Sequence, residues 1–475
     1  MPRRVYPAFA SLALLFSVAS AFAQGTSPRR DIGRFYAQNC AQCHGRNLQG
    51  GLAPSLLDDQ WSHGGTDADL AKVIRDGVED SMPGFKDQLS EGEIRALVVF
   101  LREKRAGFSS SEDRPRRPQP TEPITSEQHT FKIETVADRL STPWGMAFLP
   151  DGRMLFTEKS GELRLIENGR LHVDPIRGTP AVRDSGQGGL LEVAVHPRYA
   201  ENGWIYLAYS DPATRDGQPV SLTTIVRGKV RDGAWVEQQT IWRAPLEFYR
   251  PGGVHFGCRI VFDADGYLFF SHGERGRQDD AQNLKLPNGK IHRLHDDGRI
   301  PTDNPFAQQP GAFASIWTYG NRNPQGLAFE PGTGVLWSTE HGPRGGDELN
   351  IIRRGANYGW PVITYGMNYN GTPITGITAK DGMEQPVTHW TPSIAVCGID
   401  FYTGDAFPQW QGNLFVTALA QQELRRVVIE NGKVTHQEIL LKDLGRVRDV
   451  QTGPDGAIYV ALNQPDRIVR LVPAR

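Results

Sequence analysis

Trp144-Gly145-Met146-Ala147-Phe148-Leu149-Pro150-Asp151-Gly152-Arg153-Met154-Leu155-Phe156 reads as two short apolar strands joined by a Pro-Asp-Gly turn. Pro presets the turn, Asp bonds its own backbone and Gly accepts the left-handed corner, so the chain reverses here. The phrase returns from Leu190 to Tyr209 around Pro197 and Gly203, and from Arg259 to Phe270 around Asp265-Gly266. It recurs from Gly326 to Trp337 around Pro331-Gly332, from Gly398 to Val416 around Pro408 and Gly412, and from Val447 to Val460 around Pro454-Asp455-Gly456. Six near-equivalent units predict a mainly β fold, a six-bladed β-propeller, because radial repetition protects most strand edges. A β-sandwich accommodates six equal units less well. The turn glycines Gly334 and Gly412 stand 78 residues apart, against a blade of about 40–50. Long loops must therefore interrupt the central blades, and function is expected in the loops of the third and fourth.

Upstream the character changes. Cys40-Ala41-Gln42-Cys43-His44 has the C-x-x-C-H spacing of covalent haem attachment. Two thiols on one helical turn can form thioethers to the porphyrin vinyls, with the next imidazole against the iron. A zinc half-site would need further Cys or His at ligand spacing, and none follows nearby. Met82, in Ser81-Met82-Pro83-Gly84-Phe85, is expected as the second iron ligand, being the one Met between Gly33 and Phe108. His63 competes for that place. His/Met ligation raises a haem potential, as an electron acceptor requires. Ser90 with Glu93 forms a capping box, and Ile94, Leu97, Val98 and Leu101 then recur at helical spacing. The segment resembles single-haem cytochrome c domains, including Gly51-Leu52-Ala53-Pro54-Ser55-Leu56, where the proline supports the proximal histidine. A small all-α cytochrome c domain is expected over residues 24–105, and the propeller over 129–475.

Between them, residues 106–128 carry Pro115, Pro118, Pro120 and Pro123 among charged residues and read as a semi-extended linker. At about 3.1 Å per residue it could span about 70 Å, permitting contact without enforcing it. At the start, Arg3 and Arg4 precede an apolar run from about Ala8 to Val18, with Ala21-Phe22-Ala23 as a cleavage pattern. Residues 1–23 are thus expected to be a secretory signal peptide, giving a periplasmic or secreted protein. An uncleaved anchor is the alternative, although no run reaches the roughly 20 apolar residues of a membrane span. Net charge is −2 over 475 residues, and four cysteines are too few for a disulfide framework. That balance leaves no footprint for nucleic acid or an anionic membrane and favours small neutral partners.

In the propeller loops, His255 follows Gly252-Gly253-Val254 just before an inner strand, where an imidazole can serve as general base. Asn321-Arg322-Asn323-Pro324-Gln325-Gly326 opens another strand, and Arg446 and Arg448, two apart, share one face of a third. Three inward guanidinium groups suit a ligand with several carboxylates, whereas solvated rim charges would look the same. Glu340-His341-Gly342-Pro343-Arg344-Gly345-Gly346-Asp347-Glu348 can offer oxygens to a hard cation, or is an acidic turn.

Taken in order, six stretches resemble the soluble quinoprotein aldose dehydrogenases of the glucose/sorbosone type over roughly Glu134 to Pro473. They are Gly186-Gln187-Gly188-Gly189-Leu190-Leu191, His255-Phe256-Gly257-Cys258-Arg259, Tyr319 to Gly326, Glu340-His341-Gly342-Pro343, Asn357-Tyr358-Gly359-Trp360-Pro361 and Arg446-Val447-Arg448-Asp449. The resemblance implies pyrroloquinoline quinone (PQQ) at the channel mouth, held by Gln187, Arg322, Asn323, Arg446 and Arg448. It implies carbonyls of Gly342 and Pro343 on an active-site Ca²⁺, and Glu348 and Tyr358 at a structural Ca²⁺, with Asp347 a weaker candidate. His255 takes the base role on a sugar hydroxyl, and electrons leave through the haem to another cytochrome or a quinone.

Two departures stand out. Glucose-type relatives carry a lysine at the quinone edge, where Ala418-Leu419-Ala420-Gln421-Gln422 has none, and an acidic residue often stands where Val254 does. Cys258 and Cys397 are open to a disulfide or to two buried thiols. Two other readings remain: a calcium-dependent lactonase-like hydrolase, and a non-enzymatic electron carrier with the propeller as a docking module.

Overall fold

In the computed structural model, residues 30–58, 60–107 and 116–474 are described; the expected signal peptide lies outside them. Six antiparallel sheets follow one another along the chain from Pro143, each begun by an inner strand from one of the six recurring units. These inner strands are Pro143–Phe148, Leu190–Val195, Ile260–Phe262, Pro324–Phe329, Val396–Phe401 and Arg446–Thr452. Each packs against the next, and the sixth against the first, so the ring closes as a six-bladed propeller. The closing blade draws on both ends of the domain: Thr130–Ala137 pairs antiparallel with Arg467–Pro473, Lys132 opposite Val472 and Ile133 opposite Leu471. That pairing replaces a seam of side chains with backbone hydrogen bonds.

Six apolar clusters, one between each pair of neighbouring blades, hold the sheets face to face. Trp337 and Trp410 are fully buried in two of them. Each such side chain contributes roughly 1.5–3 kcal/mol or more through the apolar area it removes from water. Polar groups gather instead at the central axis. There the register slips between Pro143 and Met146, Leu190 and Glu192, Pro324 and Gly326, Val396 and Ile399, and Val447 and Asp449. A bulge at this place re-aims side chains that strict alternation would send into a blade face.

The N-terminal domain is helical: α1 (Ile32–Asn39), α2 (Ala41–His44), α3 (Asp67–Asp76) and α4 (Glu91–Arg105) surround a core of Ile32, Phe35, Leu70, Phe85, Ile94, Leu97 and neighbours. The expected box at Ser90 is present: Ser90 N–H donates to Glu93 Oε2 at 2.9 Å, and Glu93 N–H donates back to Ser90 Oγ at 3.4 Å.

The Pro-rich segment departs from a free tether. Its second half is laid on the propeller, with Ile124–Thr125 pairing onto the closing strand, Arg117 N–H donating to Asp443 O at 2.7 Å and Glu127 bonded to Arg426 at 3.0 Å. The reason is local: Ile124 and Thr125 are good strand residues beside an otherwise open edge. Among the described residues no helix is long and apolar enough to cross a membrane.

Candidate active site

Below the channel mouth lies a charged floor that ties the blades together. Arg259 Nη1 meets Glu192 Oε2 at 2.6 Å and Asp449 Oδ1 at 2.9 Å, while its Nε donates to Gln325 O at 3.1 Å. Trp144 completes it, its ring 4.6 Å from the Arg259 guanidinium and 5.6 Å from that of Arg448. All three charges are buried, and burial pushes both carboxyl groups upward while Arg259 opposes it.

His255 stands above this floor on a contorted loop, with φ of +53° at His255 and +82° at Cys258. Left-handed backbone at non-glycine residues costs energy and persists only where neighbours enforce it. Here they do. Gln187 N–H donates to Gly253 O at 2.6 Å, and Gln187 Oε1 accepts from His255 N–H at 2.8 Å. Gly186 must lack a side chain for this approach, since a Cβ would lie 2.4 Å from Gly253 O. From the other side Arg275 donates to Gly252 O at 3.0 Å and to Val254 O, with its guanidinium 3.6 Å from the Phe256 ring centre.

The imidazole itself is oriented by a residue that sequence reasoning missed. Glu274 Oε1 lies 2.5 Å from His255 Nδ1, with Glu274 almost fully buried. A carboxylate at Nδ1 fixes the proton there and leaves Nε2 as the free acceptor. Burial first, and the Arg322 charge second, hold the His255 pKa below its ordinary value, with Glu274 pulling the other way. The ring is therefore neutral at neutral pH, with Nε2 open to accept a proton.

Arg322 spans the site's edge, donating through Nη1 to His341 O at 3.1 Å and Gly342 O at 2.8 Å; its buried Nε has no hydrogen-bond partner. Asn323 Oδ1 accepts from Gly257 N–H at 3.1 Å, fastening the His255 loop to the next blade. Arg448 sits in the sixth-blade bulge, its Nε 3.2 Å from Asn463 Oδ1 and Nη1 3.4 Å from Gln325 Oε1. Arg446 opens the same strand, half-buried. Burial first, and then the charges of Arg322 and Arg448, hold the His341 pKa well below its ordinary value, so positive charge converges on one pocket. This surplus, with an orphaned guanidinium nitrogen, fits a polyanionic ligand such as PQQ.

The acidic loop divides into two roles. Asp347 accepts from Gly342 N–H at 2.8 Å, Ser393 Oγ at 2.7 Å and Val396 N–H at 3.2 Å. Those bonds pin the loop and engage both oxygens of the carboxylate. Gly342 O is shared with Arg322, and Pro343 follows it, buried. Glu348 shares a cavity of about 10 Å³ with Glu340, His341, Gly342 and Tyr358. Burial and then the facing Glu340 raise the Glu348 pKa to about 8, and burial raises that of Glu340 to about 7. Two facing buried acids fit one small cation, which would let both ionise. The Tyr358 hydroxyl is already engaged, donating to Ile351 O at 2.6 Å and accepting from Arg353 N–H at 2.9 Å. Among the described residues no three His, Cys, Asp or Glu side chains converge as a metal cluster, so any cation here relies on carbonyl oxygens as well.

Near Ala420, whose N–H donates to Ile394 O at 2.9 Å, an ammonium does arrive from outside the turn: Lys442 bonds Glu423 and lies 3.5 Å from Gln421 Oε1. Cys258 and Cys397 are both fully buried free thiols. In the helical domain Cys40 is the residue joining α1 to α2, Cys43 lies within α2, and His44 Nδ1 lies 3.3 Å from Pro54 O, leaving Nε2 for iron. Met82 packs against the domain core, whereas His63 is exposed.

Comparison with known proteins agrees with this arrangement. Residues 140–470 match the glucose/sorbosone dehydrogenase family model, and residues 28–101 match that of cytochrome c oxidase, cbb3-type, subunit III. The aldose sugar dehydrogenase YliI of Escherichia coli is 44% identical over 341 residues, covering 70% of this chain and 91% of that protein. The crystal structure of the soluble aldose sugar dehydrogenase from Escherichia coli in the apo form superposes with a TM-score of 0.69 at 42% identity, covering 73% of this chain and 100% of that one. The PQQ-bound aldose sugar dehydrogenase of Streptomyces coelicolor gives a TM-score of 0.58 at 27% identity, covering 75% of this chain and 99% of that one. The chain therefore belongs to the glucose/sorbosone dehydrogenase family of oxidoreductases, here joined to an N-terminal cytochrome c domain of the cbb3 type.

Proposed function

We propose that the protein oxidises an aldose or related sugar to its lactone or acid in a PQQ-dependent reaction outside the cytoplasm, and passes the electrons to its own c-type haem. The His255–Glu274 pair beside a cluster of arginines carries this reading, because a neutral base and an anion-binding wall are what such a reaction needs. The PQQ-bound relative supports the cofactor.

When bound, PQQ supplies a hydride acceptor whose carbonyl a Ca²⁺ at the Gly342–Pro343 loop would polarise as a Lewis acid. Arg322, Arg446 and Arg448 would hold the carboxylates of that ligand, and Gln187 and Asn323 keep the His255 loop fixed. His255 Nε2 is placed to take the proton of the anomeric hydroxyl as that carbon is oxidised, and Glu274 would stabilise the imidazolium that results. Val254, 40% exposed beside the base, offers an apolar wall to the sugar in place of an acid. Cys40, Cys43, His44 and Met82 would hold a haem, which supplies a one-electron acceptor, so an outside acceptor such as another cytochrome or a quinone would be needed to take the two electrons onward in turn.

The test is to supply the purified haem protein with PQQ, Ca²⁺ and a panel of aldoses while following the haem spectrum. Sugar-dependent haem reduction that His255→Ala abolishes supports the reading. Product formed without quinone would replace it with hydrolysis, and silence with quinone bound would leave the propeller a docking module.

A further inference from the structure

We infer that the cytochrome domain works from one fixed seat on the propeller, where the outer stripe of α4 meets Arg344, Gly345 and the loop of residues 361–387 in the fourth blade. The inference rests on the proposed exit of electrons through the haem and names the surface by which they leave.

Helix α4 has two faces. Ile94, Leu97, Val98 and Leu101 point into the cytochrome core, while Gly92, Arg95, Val99 and Glu103 recur at steps of three and four along the opposite side. Every member of that second stripe meets the propeller or closes on it. Glu103, 7% exposed in its side chain, takes Arg344 Nε at 3.1 Å on Oε1 and Arg344 Nη2 at 2.5 Å on Oε2. Such a fork is the strongest ion-pair geometry available to arginine. Arg95 donates to Thr364 O at 3.0 Å and Gly376 O at 3.2 Å. A Cβ on Gly92 would stand 3.1 Å from that of Pro373, and one on Gly345 would stand 3.2 Å from Val99 Cγ1.

The propeller answers with its own apolar anchor. Met367 is fully buried within the cytochrome core cluster, and Ile32 N–H donates to Gly371 O at 3.4 Å from α1. The loop that carries Met367 lies between strands Asp347–Ile352 and Thr388–Trp390. It accounts for much of the exceptional length of this blade.

The seat touches the active-site wall. Thr364, held by Arg95, lines the same cavity as Arg322, His341 and Gly342, and Arg344 follows Gly342-Pro343 directly. One helix thus separates the cytochrome core from the rim of the quinone site, and its thickness is about 10 Å. A mobile tether would spend most of its time at longer range. A fixed seat removes the search.

Three measurements test the seat. Glu103→Arg and Arg95→Glu, alone and together, should slow sugar-driven haem reduction roughly tenfold or more. Reduction of a small phenazine dye that takes electrons from the propeller should stay at the parent rate, and an unchanged haem spectrum reports an intact cytochrome. Glu103→Arg combined with Arg344→Glu should recover the lost haem rate. An unchanged haem rate in the reversals overturns the inference.

The pair Gly92→Cys and Pro373→Cys should close a disulfide in air and keep haem reduction. Failure to close, or closure that halts haem reduction, also overturns it. Bond closure does not depend on sugar chemistry, so a protein whose propeller reduces no dye with any aldose sinks the proposed function while the disulfide still reports on the seat.

Discussion

The two domains write their chemistry in opposite ways. The cytochrome's expected haem residues lie within Cys40 to His44 and at one methionine 38 residues on. The proposed dehydrogenase site draws on Gln187, His255, Glu274, Arg322 and Arg448, one or two from each of several blades, above a charged floor reaching from Glu192 to Asp449. A contiguous motif needs only a helical turn to function. A distributed site needs the whole ring, so its residues are sensitive to changes far along the chain.

The sharpest way to break that contrast is to empty one domain. Cys40→Ser with Cys43→Ser should remove covalent haem entirely, seen as lost haem staining on a denaturing gel, with dye-linked sugar oxidation by the propeller preserved. Loss of both would mean the domains do not fold apart. His255→Ala is the converse, with kcat expected to fall by about 10²–10⁴ in the dye assay while the haem spectrum stays as it was.

Arg259→Leu probes the floor. It strands two buried carboxyl groups and should cost about 3–5 kcal/mol of propeller stability in denaturant unfolding, leaving the cytochrome transition in place. A stability loss under 1 kcal/mol would show the blades do not depend on it.

Glu274→Gln is the finest test. Losing a charged hydrogen bond worth about 1.5–3 kcal/mol should lower kcat/KM about tenfold to a hundredfold. Glu274 raises the His255 pKa, so its removal lowers that pKa further and moves the acidic limb of the pH profile to lower pH. A limb that moves upward would show that His255 is not the group being titrated.

The same contrast explains what could be read in advance. All six strand pairs stand where their turns place them, because Pro-Asp-Gly chemistry is local. The haem motif is legible for the same reason. Glu274 escaped notice because Gly273-Glu274-Arg275-Gly276 looks like any polar turn; its meaning comes from the left-handed backbone at His255 and Arg275, which no periodicity announces. Asp347 attracted attention as an acid in a glycine-rich loop, yet Gly342, Ser393 and Val396 take its oxygens. Its partner Ser393 is 46 residues away, so spacing could not reveal this. The outer stripe of α4 is harder still, since Gly92, Arg95 and Glu103 read as a solvent face until the fourth-blade loop covers them. The 78-residue interval said that something long was there, not what it was for.

The clasp between Thr130–Ala137 and Arg467–Pro473 sets a timetable for biosynthesis. The strand that completes the circle follows every other strand of the propeller in the chain, so a growing chain holds five blades with an unsatisfied margin until Pro473 emerges. The cytochrome has no such wait: at roughly 5–20 residues per second its helices precede the final strand by tens of seconds. The helical domain's stretch of chain is therefore complete while the ring is still open.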